Sequence, residues 1–201
     1  KGIVPRDNVV IRLCSIECCF AHGLEECEHN RPFINDIKDW SEIAPNLYIW
    51  DYVVNYNQYL APFPNFQVLA DNIRTFRKYN AIGIQEEAQY QTLGGEFSDM
   101  KSWVIAKLLW NPELDTEALT SEFISNYYDA AATYIQQYFD LCKGLVKPDT
   151  VMGIYINQWN PLYTDAFITE AKALLDKAVE SVKDADEAIR HRVDLVKLQI
   201  A

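Results

Sequence analysis

The chain has 201 residues, 49% of them hydrophobic and 23% charged, enough apolar material for one substantial core and, by length, one or at most two domains. A formal net charge of -11 and a pI near 4.7 argue against a nucleic-acid or anionic-membrane binder, because both partners require a positive patch. No run of about 18 apolar residues is present, so no membrane-spanning helix is expected, and K-G-I-V-P-R-D-N lacks the apolar centre of a signal peptide.

In chain order, the first predicted element is a buried strand, N-V-V-I-R-L-C-S-I-E, from Asn8 to Glu17. Cys14, Cys18, Cys19 and Cys27 follow within fourteen residues, with His22 among them and Cys142 far away on a helix. Three readings stay open for this cluster: buried free thiols, a disulfide from Cys18 or Cys19 to Cys27, or a metal site. Adjacent Cys18 and Cys19 point apart on an extended chain, which weighs against the metal. His22 is either a structural histidine or a proton shuttle and ligand donor. Phe33, Ile37, Trp40 and Ile43 then mark a helix.

The second strand, N-L-Y-I-W-D-Y-V-V (Asn46 to Val54), places Asp51 between Trp50 and Tyr52 and runs into an aromatic loop rich in Asn and Pro. Val68, Ile73 and Phe76 mark a second helix, and N-A-I-G-I-Q-E-E (Asn80 to Glu87) a third strand. The strand starts lie 38 and 34 residues apart, the spacing that a parallel sheet with crossover helices needs. The expectation is α/β: the C-terminal part of a (β/α)8 barrel, about three βα units over residues 1–95, with a small doubly wound domain as the alternative. Three strands cannot close a barrel, so its missing N-terminal part is the expected partner.

Residues 96–201 read as helical: Phe97 to Trp110, one long helix from Thr116 to Val146, and a second from about Asp165 with an apolar stripe to the last residue. The two long helices are expected to pack as a hairpin around V-M-G-I-Y-I-N-Q-W-N-P. A first residue other than Met and an undiminished final stripe suggest a piece of a longer protein.

Chemistry in parallel βα folds gathers where strands end, and each strand has an acid there: Glu17, Asp51, and Glu86 with Glu87. Neighbouring strands lie roughly 4.8 Å apart, so acids at matching heights fall roughly 5 to 10 Å apart, the range of a glycosidase pair. Asp51, Glu86 and Glu17 are therefore the candidate catalytic acids; the competing possibility is that such acids only cap helices or meet solvent. Trp50, Tyr52, Tyr56 and Tyr90 could stack on sugar rings, and Asn55, Asn65, Glu87 and His22 could bond hydroxyls. Strand parity turns Asp51 to the face opposite Trp50 and Tyr52. No phosphate loop, H-E-x-x-H or G-x-S-x-G is present, and no metal or organic cofactor is expected.

I-R-L-C-S-I-E-C-C-F-A-H (Ile11 to His22), L-Y-I-W-D-Y-V-V-N-Y with P-F-P-N (Leu47 to Asn65), G-G-E-F with A-K-L-L-W-N-P (Gly94 to Pro112) and F-I-S-N-Y-Y-D-A-A-A (Phe123 to Ala132) carry a resemblance. Together they resemble a bacterial domain family of unknown function from large secreted or surface proteins of gut bacteria. In that family an α-glucuronidase-like small domain precedes a barrel and helices. It is similar to glycoside hydrolase family 163, endo-β-N-acetylglucosaminidases acting on complex N-glycans. The resemblance implies a carbohydrate-active protein, a glycan substrate and a location outside the cytoplasm. At the third strand G-I-Q-E-E-A (Gly83 to Ala88) stands against a family pattern near G-[IL]-F-E-Q-G, so Glu86 matches while Gln85, Glu87 and Ala88 depart. The rival class is a non-catalytic glycan-binding or structural module.

Overall fold

The computed structural model describes residues 4–92 and 94–200. Three parallel strands, β1 (Ile11–Cys14), β2 (Leu47–Tyr52) and β3 (Ala81–Glu87), form one sheet in chain order β1-β2-β3. Among the described residues, β1 and β3 are its edges. α1 (Arg31–Ile43) and α2 (Phe66–Lys78) make the crossovers, each where its apolar spacing predicts a helix. The architecture is mixed α/β.

The two sheet faces differ sharply. Leu47 and Ile49 of β2 are fully enclosed with Ile37 of α1 and Phe76 of α2. Of the alternate positions, Arg12, Cys14, Tyr48, Trp50, Gln85 and Glu87 stay exposed or half-exposed, whereas Tyr52 at the end of β2 is 7% exposed. Tyr48 lies across Gly83, where a Cβ would sit 2.4 Å from its ring. Glycine is thus what lets the aromatic ring cover β3.

Asn at the strand starts has a local cause. Asn46 Nδ2 donates to the carbonyls of Asp7 (2.7 Å) and Val9 (3.3 Å), tying the incoming segment to β2. Asn80 has φ 60° just past the C-cap of α2, the left-handed position that Asn tolerates.

β1 is shorter than its apolar run predicts. Ser15 still bonds to the carbonyl of Trp50 (3.1 Å), but Cys18 N–H turns back to the carbonyl of Ser15 (2.8 Å) and ends the strand. Glu17 therefore lies on an exposed turn beyond the sheet rather than at a strand end.

The C-terminal half holds α3 (Ser98–Trp110), α4 (Thr116–Tyr127), α5 (Ala132–Lys143), α6 (Asp165–Ser181) and α7 (Glu187–Lys197). The two long helices of the sequence are each broken. Asp129, with φ 49°, separates α4 from α5, and a turn at Val182–Ala185 separates α6 from α7. The apolar spacing continued through both breaks because the turn residues are themselves buried: Tyr128, Ala131 and Val182 enter the same core as the helices. That core also takes Val53, Phe66 and Leu69, so the helices share one apolar cluster with α2 and the end of β2. No described helix is long and apolar enough to cross a membrane. Lys1 to Ile3 and the final Ala201 of the apolar stripe lie outside the described residues.

Candidate active-site face

The parallel register sets Cys14 beside Trp50, Trp50 beside Gln85, Asp51 beside Glu86 and Tyr52 beside Glu87. Odd positions of β2 face the helices, so Asp51 and Glu86 meet on the core side. The hydroxyl of fully buried Ser15 donates to Asp51 Oδ1, and Asp51 itself is 3% exposed. Glu86 keeps part of its surface, but its Oε2 is closed off and has no hydrogen-bond partner. Neither acid has a lysine or arginine partner among the described residues.

Burial pushes Asp51 up to about 6, against hydrogen bonds from Ser15 and the Tyr52 backbone that favour its charged form. Burial first, and the charge of Asp51 second, hold Glu86 well above the usual carboxylate range. Two carboxyls this close in a desolvated pocket do not both ionise easily. The register supplied the expected pairing of strand-end acids, but it is Ser15, just past β1, rather than Glu17 that completes the row.

The open face carries the aromatic groups. Trp50 and Tyr52 stack with centroids 6.0 Å apart, and Tyr52 meets Tyr56 edge-on at 5.8 Å. Arg12 sits 4.1 Å over the Trp50 ring and donates to Gln85. Trp50 Nε1–H donates to Glu87 Oε2, and Tyr56 Oη–H donates to the Glu87 carbonyl at 2.8 Å. Glu87 is thus the strand-end carboxylate on the aromatic side. Burial, then Cys14 and Glu87, raises the Tyr52 phenol to about 12, so it stays a neutral donor.

Other expected contacts lie elsewhere. Asn55 is buried; its amide donates to the Ile156 carbonyl (2.9 Å) and accepts the Ile156 N–H (3.0 Å), so it anchors backbone. Asn65 is equally buried and bonds the Val53 carbonyl at 3.2 Å. Tyr90 is 70% exposed, and His22 is half-buried with Nε2 enclosed and unpartnered. All five cysteines are free thiols, and the Cys19 thiol donates to the Thr150 carbonyl (3.7 Å) and accepts the Met152 N–H (3.4 Å). Sequence reasoning missed Glu96 and Lys101, a buried ion pair at 2.7 Å whose Lys101 Nζ also bonds the Val53 carbonyl at 3.0 Å. The only sequence signal was an acid in G-G-E-F followed by a lysine five residues later inside an apolar helix face.

The model of a family described as Domain of unknown function, DUF4838, matches residues 1–140. The chain belongs to this family. The DUF4838 match takes in the whole sheet, Ser15, Asp51, Glu86, Glu87 and the Glu96–Lys101 pair, and stops within α5. No curated protein and no solved structure matches the chain.

Proposed function

We propose that this chain forms the C-terminal part of a (β/α)8-type barrel in a glycoside hydrolase acting outside the cytoplasm, and that the open aromatic face of its sheet meets a glycan. The placement of Glu87 carries the reading: a carboxylate at the C-terminal end of a parallel strand, bonded to Trp50 on the uncovered face. Functional groups of such folds gather at that end. Sequential strand order with both crossovers on one face favours a barrel over a doubly wound sheet, which reverses its order and covers both faces. The edges of β1 and β3 would then pair with the other strands of the barrel.

Cleaving a glycosidic bond takes one carboxyl to protonate the leaving oxygen and another to support the anomeric carbon or activate water. Glu87 takes one of these roles, and another strand of the barrel supplies the second. Asp51 and Glu86 stand one layer behind, as a proton-holding pair that fixes the ends of β2 and β3 on which Trp50, Tyr52 and Glu87 are mounted. The likeness to family 163 makes an N-acetylglucosamine linkage of a complex N-glycan the preferred substrate.

A second reading, a non-catalytic glycan-binding module, is favoured by the enclosure of Asp51 and Glu86 on the helix side. Hydrolysis of a complex-type N-glycan glycopeptide by the intact protein separates the two. Glu87→Gln should lower turnover by about 100-fold or more while leaving the Kd within a few fold. Wild-type binding without hydrolysis supports the second reading, and unchanged turnover in Glu87→Gln removes Glu87 from the chemistry.

A further inference from the structure

We propose that the segment 151–157 is an outer glycan subsite with Tyr155 as its stacking ring, an inference that rests on the glycan-processing reading of the sheet face. The segment alternates like a strand. Met152, Ile154 and Ile156 are 1%, 2% and 5% exposed, whereas Val151 and Tyr155 are both 60% exposed. It is a strap across the ends of β1 and β2: Phe20 N–H bonds the Met152 carbonyl (2.7 Å) and Tyr56 N–H the Ile154 carbonyl (2.8 Å). Asn55 closes a two-way amide bond to Ile156, and Asn57 Nδ2 donates to the Tyr155 carbonyl at 3.0 Å.

This anchoring extends the aromatic row of the sheet outward. Tyr155 lies 6.3 Å from Tyr56, which lies 5.8 Å from Tyr52, itself 6.0 Å from Trp50. The rings run in contact from Trp50 to the strap: Tyr52 is enclosed at 7% exposed, while Trp50 and Tyr56 are half-exposed and Tyr155 is exposed. Gly153 is the outward position before Tyr155, and nothing lies within 4 Å of where its Cβ would be, so the floor beside the ring is open.

The chemistry of the row suits a sugar better than a protein. Phenol and indole faces cover the C–H face of a pyranose, while the phenol of Tyr155 and the Oδ1 of Asn57, whose Nδ2 is held by the Tyr155 carbonyl, meet hydroxyls. The centre of a protein interface is depleted of Glu, yet Glu87 sits within this row, bonded to Trp50. Tyr155 stands next to Tyr56, whose hydroxyl bonds the Glu87 carbonyl, so it takes a sugar neighbouring the one whose bond breaks. Such a contact is made equally in ground and transition states and acts on affinity rather than on turnover.

The test uses the intact protein and a biantennary complex-type N-glycan glycopeptide, with Kd from calorimetry and KM and kcat from hydrolysis. Tyr155→Ala should weaken Kd and raise KM about tenfold with kcat within about twofold, and Tyr155→Phe should retain wild-type affinity. Gly153→Gln fills the open floor without removing a packed ring and should weaken binding as well. Wild-type binding that neither Tyr155→Ala nor Gly153→Gln alters overturns the subsite and leaves the function standing. Absence of wild-type binding overturns both.

Discussion

Lys101 and Glu96 show how much a single buried side chain can decide. Each is 3% exposed in side-chain area, and Lys101 also lies 5.0 Å from the ring centre of Phe66 and 5.6 Å from that of Phe63. Removing one partner strands a charge without water. Lys101→Met alone should cost about 3 to 5 kcal/mol in urea unfolding, while Glu96→Leu combined with Lys101→Met should recover most of that loss. Gly83 makes a steric case instead: Gly83→Ala pushes a methyl into Tyr48 and should cost about 1 to 3 kcal/mol, with a changed near-ultraviolet dichroism from the Tyr48–Trp50 face.

The elements depend on their ends as much as on their apolar faces. Asp115 caps α4 by accepting from the backbone of Glu117 (2.9 Å) and Ala118 (3.4 Å), so Asp115→Ala should lower the stability of the protein by about 1 kcal/mol in denaturant titrations. The break between α4 and α5 turns on Asp129 in the left-handed region. Asp129→Gly should be neutral or stabilising, whereas Asp129→Val should cost about 1 to 2 kcal/mol, because a β-branched residue is poorly tolerated there.

At the scale of the whole molecule, the enclosed acids set an unusual pH response. Asp51 and Glu86, with Glu96, hold their protons to higher pH folded than unfolded, all through burial first. The folded state therefore binds more protons above about pH 4, where free carboxyls ionise, and stability falls as pH rises. For Asp51 the loss runs from about pH 4 to about pH 6, and Glu86 adds a loss of the same sign. Melting temperatures across this range should decline in the wild type and decline less in Asp51→Asn. A decline of equal size in that variant would show that Asp51 does not contribute.

Local pattern was enough for the three strands, for α1, α2 and α3, and for the pairing of Asp51 with Glu86, since strand parity and a common spacing are properties of the chain itself. Parity likewise turned Asp51 away from Trp50 and Tyr52. It could not say that one face would be covered by helices and the other left open, because that depends on where the crossovers pack. The early end of β1 at Cys14, the breaks at Asp129 and Val182, and the strap at 151–157 are tertiary decisions too: buried turn residues mimic a continuing stripe. Asn55 and Asn65 look like ligand groups in a polar loop, and only the fold, by burying them, turned them to backbone. A buried amide must find its partners within the protein.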